Sequence, residues 1–123
     1  MLFKICGLKN KKSLLCCEKN NADFFGMIFY EKSPRNITLN EAKTLISTSK
    51  KLRIKPVGVF VDCKINDLKK IISSLELNYV QLHGSEDQLY INEIKKQFDV
   101  KIIKNICINN SEDLNTIDRK SVV

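Results

Sequence analysis

Short apolar runs alternate with longer amphipathic ones along the whole chain, and this alternation limits the fold more than any other feature. LFKIC (2–6), FFGMIF (24–29), VGVFV (57–61), YVQL (79–82) and KIIKNICI (101–108) read as strands. They are mostly continuous apolar runs, the pattern of strands covered on both faces in a parallel sheet. Their ends fall at Cys6, Phe29, Val61, Leu82 and Ile108. The intervals are roughly 20 to 30 residues, the length of one strand, loop, helix and return loop.

The intervening stretches carry helix signals. Residues 11 to 19 give a first helix. Thr38-Leu39-Asn40-Glu41 reads as a capping box before Ala42, Leu45 and Ile46, and Ser85-Glu86-Asp87-Gln88 reads as another before Tyr90, Ile91, Ile94 and Phe98. Between them, Ile65, Leu68, Ile71, Ile72 and Leu75 keep helical spacing. A short last helix is expected from Ser111.

Successive βα units without a linker leave two α/β architectures, a doubly wound sheet or a (β/α)8 TIM barrel. A doubly wound nucleotide binder needs a glycine-rich phosphate loop after a strand, and the four glycines form neither a G-x-G-x-x-G nor a Walker A loop. The barrel is therefore favoured. A full barrel needs about 200 residues or more. The 123 residues supply about five βα units and are expected to form one truncated domain, residues 1–123.

With 43% apolar and 28% charged residues the chain reads as globular. No apolar run is long enough to cross a bilayer, and Lys4 interrupts the only N-terminal apolar stretch, so a cytoplasmic location is expected. The five cysteines (Cys6, Cys16, Cys17, Cys63, Cys107) contain no C-x-x-C pair, which argues against a disulfide framework or a zinc site. His83 is the sole histidine, which excludes a histidine-based metal cluster. The net charge of +7 is spread over scattered lysines without interleaved aromatics, so it fits attraction of a small anionic substrate better than nucleic-acid binding.

In a barrel, chemistry sits at the C-terminal strand ends. Cys6 ends the first strand beside Gly7. Alternation puts Lys4 and Cys6 on one face, the barrel interior, and Phe3 and Ile5 on the other. An isolated cysteine is ordinarily a packed thiol, but this one stands at a strand mouth. On the fourth strand Tyr79, Gln81 and His83 share a face, and polar groups there are costly unless bonded or wetted by a site. His83 taken alone fits a structural role as well. Arg35 lies between a strand end and a capped helix start, where its guanidinium and free backbone N–H groups favour a carboxylate or phosphate.

KICGLK (4–9), ADFFGMIFYEKSPRNIT (22–38), VGVFVD (57–62) and YVQLHGSE (79–86) together resemble the phosphoribosylanthranilate isomerase family of tryptophan biosynthesis, in the same order. The resemblance runs to about Ile108. It implies a TIM barrel without cofactor or metal that performs an Amadori rearrangement of an N-linked aminoaldose phosphate to an aminoketose. It also implies that Cys6 is the general base and that Arg35 holds the anthranilate carboxylate. Gln81 and His83 then position substrate. Only a thiolate could act as base, so positive charge is expected beside Cys6, with Lys4 the candidate.

The family's general acid is an aspartate ending strand six, and its phosphate cradle follows strands seven and eight. Asp118 falls in a helical stretch and does not match that acid. The chain alone is thus expected to be inactive and to have open, self-associating sheet edges, with Lys4 and Lys104 pointing inward. The alternative is a non-catalytic half-barrel that needs a complementing C-terminal fragment.

Overall fold

A computed structural model of the chain describes Leu2 and residues 4–104. Among these residues five strands, β1 (Lys4–Cys6), β2 (Phe24–Phe29), β3 (Lys55–Phe60), β4 (Tyr79–Leu82) and β5 (Lys101–Lys104), alternate with four helices, α1 (Lys11–Lys19), α2 (Leu39–Ser49), α3 (Ile65–Leu75) and α4 (Gln88–Gln97). The expectations for Phe3, Cys107, Ile108, the helix from Ser111 and Asp118 lie outside the described residues.

All strand pairs are parallel and the sheet order is β1-β2-β3-β4-β5. Spatial order equals sequence order, so among the described residues no reversal exists at which a doubly wound fold would switch direction. Right-handed crossovers that step always the same way put every helix on one side of the sheet. The packing agrees. One apolar cluster joins Leu14 of α1, Leu45 of α2, Leu68 and Ile72 of α3 and Ile94 of α4 to Phe25, Met27, Phe60, Leu82 and Ile102 of the strands. The opposite face carries a smaller cluster of Ile28, Val57 and Val59 with Cys6, Phe24, Tyr30 and Tyr79 against it. This is barrel winding, with a helix layer outside and a strand-only interior.

Local chemistry sets the boundaries. Asn10 caps α1 by accepting from the Ser13 amide at 2.9 Å. At α2 the capping box closes fully: the Glu41 amide donates to Thr38 Oγ1 at 3.2 Å, and the Thr38 amide donates to the Glu41 carboxylate at 3.0 Å. The second expected box does not form. Asp87, two residues later than Ser85, caps α4 by accepting from the Tyr90 amide, which frees Glu86 for another task. Strand β3 starts at Lys55 because the Lys55 amide donates to Asp23 O, and Pro56 tolerates the second strand position.

One face assignment is overturned. In the ladder Phe29, Phe60, Leu82 and Lys104 stand level with one another, and the first three belong to the helix-side cluster. Lys104 therefore faces the helix layer, not the interior, and it finds its acidic partner, Glu86, within this chain. No described helix is long and apolar enough to cross a membrane.

Candidate active site

The interior ends of the strands bring two of the four expected site residues into contact. Cys6 is half-buried on the interior face, level with Gly26 of β2. A Cβ on Gly26 would stand 2.7 Å from Cys6 Sγ and 3.3 Å from Lys4 Nζ. Sulfur and ammonium both lie over the same point, so by the sum of those two distances they are no more than 6.0 Å apart.

Beyond Cys6 the chain turns at Gly7, whose φ of +85° lies in the left-handed region that only glycine enters freely. The Gly7 and Leu8 amides both donate to Gly26 O, which anchors the turn on β2. That turn makes room for Arg35. The guanidinium and Cδ of Arg35 lie 2.6 to 2.9 Å from where a Cβ on Gly7 would be, and Nη1 donates to Cys6 O at 3.5 Å.

The sequence YEKSPRN places Arg35 there by turn chemistry. Ser33 N donates to Tyr30 O and Asn36 N to Ser33 O, with Pro34 at the second position of that turn, where its fixed φ fits. Ser33 Oγ accepts from the Arg35 amide at 3.1 Å. Asn36 then folds the loop back onto the end of β2: its Oδ1 accepts from Tyr30 N at 3.0 Å, and Ile37 N donates to Ile28 O at 2.9 Å. The helix start behind Arg35 is not the open anion site expected. The capping box occupies it and Glu41 makes it acidic, which leaves the exposed guanidinium as the anion contact.

Gln81 and His83 stand across the mouth. Gln81 is buried on the interior face, level with Val59 and Ile103. His83 lies just past β4, exposed, with its amide donating to Phe60 O at 2.8 Å. Two strands separate β4 from β1. Three strand spacings make that separation about 14 Å along the sheet. The gap suits a substrate held between the Cys6–Arg35 side and the His83 side. Asp62, Glu86 and Lys104 also cluster at this end, and sequence reasoning gave none of them a site role. Among the described residues no group of three or more His, Cys, Asp or Glu side chains could hold a metal ion.

Residues 3–122 match the family model described as N-(5'-phosphoribosyl)anthranilate (PRA) isomerase. The chain belongs to this family. It is 37% identical over 113 residues to the N-(5'-phosphoribosyl)anthranilate isomerase of Clostridium beijerinckii, covering 90% of this chain and 48% of that protein. The crystal structure of the Thermotoga maritima phosphoribosylanthranilate isomerase superposes with a TM-score of 0.81 at 32% identity, over 95% of this chain and 56% of that one. A phosphoribosylanthranilate isomerase solved with reduced 1-(o-carboxyphenylamino)-1-deoxyribulose 5-phosphate superposes equally well, at 0.81 and 32% identity over 95% and 59% of the two chains. The chain spans about half the length of the curated relatives it matches. The five-stranded parallel sheet among its described residues has the fold of these TIM-barrel-type neighbours.

Proposed function

We propose that residues 1–123 form the N-terminal part of a single phosphoribosylanthranilate isomerase barrel and carry the base side of its active site. The observation that supports this most is the juxtaposition of Cys6 with Lys4 and Arg35 at one interior strand end. The reaction is an internal redox rearrangement in tryptophan biosynthesis. A general acid protonates the ribose ring oxygen, the C1–O bond breaks, and the anthranilate nitrogen lone pair forms a C1=N Schiff base. The Cys6 thiolate takes the C2 proton, and the C2–H electrons give the C1=C2 enolamine. Protonation at C1 and loss of the C2 hydroxyl proton yield the aminoketose, so no atoms are gained or lost.

In this reading Lys4 stands beside the reacting sulfur of Cys6 and Arg35 grips the anthranilate carboxylate. Gln81 and His83 position the sugar from across the mouth. The general acid and phosphate cradle have no counterpart among the described residues, so turnover requires the barrel's remaining strands. The setting is cytoplasmic, where the free thiols Cys6, Cys16, Cys17 and Cys63 stay reduced.

The test is complementation. The purified chain is mixed with the C-terminal half of a family relative, and loss of phosphoribosylanthranilate fluorescence is followed. Neither half alone turns over substrate. The mixture does, and Cys6→Ser lowers its rate by about 100-fold or more. Turnover by the chain alone, or a mixture indifferent to Cys6→Ser, would overturn the reading. Reassembly without activity would favour the non-catalytic half-barrel.

A further inference from the structure

The carboxylate of Glu86 is 1% exposed, and the Glu86–Lys104 ion pair does not enter the reaction above. One oxygen accepts from the Gly84 amide at 2.9 Å and from Lys104 Nζ at 3.1 Å, and the other accepts from the Asp62 amide at 2.8 Å. Lys104 Nζ turns back to donate to Gly84 O at 2.7 Å. One ion pair with a buried carboxylate therefore holds both backbone groups of Gly84 and ties the segments just beyond β3 and β4 to the end of β5.

The neighbouring amides are fixed as firmly. His83 N donates to Phe60 O, and Ser85 N donates to Asp62 Oδ1 at 2.7 Å. Three consecutive amides beyond β4 thus each have a partner, supplied by Phe60 at the end of β3, by Glu86, and by Asp62 just beyond β3. Asp62 itself sits at φ +46°, a left-handed conformation that costs a non-glycine residue free energy and persists only where its surroundings enforce it. The Glu86 bond to the Asp62 amide is such an enforcement. A buried charge with this many partners is expensive to strip, since removing one partner leaves the other unpaired.

We propose that Glu86, with Lys104 as its counter-ion, is a positioning residue that sets the backbone of His83 at the barrel mouth. The effect on substrate rests on the reading of His83 as a substrate contact, whereas the effect on the loop does not. A merely structural ion pair would support the whole sheet. This one bonds Gly84, the residue directly after His83, and the amide of the strained Asp62 just beyond β3, whose carboxylate in turn accepts from the Ser85 amide.

The chain contains one histidine, so its imidazole proton resonance reports on His83 without assignment. Glu86→Gln and, as a milder change, Lys104→Met are compared with the parent chain by that resonance and by amide hydrogen exchange. Expected are a shifted or broadened His83 resonance and exchange at residues 82–86 and 61–63 faster by about tenfold, with peptides of α2 unchanged. Unchanged exchange at 82–86 in both variants overturns the proposal, and so does a uniform acceleration across the chain. If Glu86→Gln does not fold, Lys104→Met decides by the same criteria. In the complemented enzyme KM should rise more than kcat falls. Local loosening without any change in KM leaves Glu86 as the positioning residue of this loop and instead removes His83 from the substrate contacts.

Discussion

The sulfur of Cys6 and the backbone of Gly26 face each other so closely across the β1–β2 ladder that one methyl group on Gly26 would lie 2.7 Å from Sγ. The contact makes Gly26 a condition for the position of Cys6. Gly26→Ala must displace the thiol, Lys4 or the strand itself. Overpacking of this kind costs about 1–3 kcal/mol. The expected result in the complemented enzyme is a loss of kcat of about tenfold or more at modest cost in the urea midpoint. Activity equal to the parent's would show that the thiol position is not limiting.

Gly7 makes a separable prediction, because its backbone and its neighbour are both constrained. Gly7→Ala forces an L side chain into left-handed φ, at about 1–2 kcal/mol, and also drives a methyl into Arg35. Arg35→Ala removes only the second problem. Equilibrium unfolding should therefore show Gly7→Ala destabilised in both the parent and the Arg35→Ala background. KM for phosphoribosylanthranilate should rise with either single change. Full recovery of stability in the double variant would sink the backbone part of the account.

The acid limb of stability should carry the α2 capping box. Hydrogen bonds with Thr38, to its backbone first and then its side chain, hold the Glu41 carboxyl below its ordinary value of 4.5, with attraction to Lys9 adding to them. A carboxyl lowered in the folded state stabilises the fold above its unfolded value. That contribution fades as pH falls from about 4.5 through the folded value. Glu41→Gln should thus flatten the fall of Tm on acidification below pH 5 while the curves keep a constant offset near neutrality. Parallel curves for the two proteins throughout the acid range would refute the assignment.

Self-association should accompany the open sheet. Among the described residues β1 and β5 pair on one side only, and half-buried Phe24 and Tyr79 line the interior. Unpaired edges template further pairing, and the lysines on them blunt that tendency without abolishing it. Sedimentation over about a hundredfold range of concentration should show growing oligomers, suppressed by the C-terminal half of a relative. A monomer with a sharp, concentration-independent unfolding transition would contradict this.

Particular residues show how much was legible in the sequence. Apolar runs bounded by turn residues located β2 and β4 to the residue, because continuous burial on both faces leaves few other readings. Cys6 and Arg35 were legible from motif and position, but their contact was not: it depends on the folded loop through Ser33 and Asn36. Lys104 was misread because KIIK offers a lysine to either face, and only the level of Ile102 with Val80 decides which. Glu86 was read only as an interior position of a capping box, because Ser85 and Gln88 have the right spacing. Its actual partners, Asp62 and Lys104, are 24 and 18 residues away.

What the sequence determined by itself was local and periodic: the βα alternation, the Thr38–Glu41 cap, and the parity that puts Lys4 beside Cys6. Each follows from interactions within a few residues. The tertiary structure alone decided three things: the one-directional strand order that makes the sheet a barrel wall, Arg35 over Cys6, and the buried carboxylate that ties three strand ends together. These depend on contacts between residues far apart in the chain, where spacing carries no information and packing selects the partner.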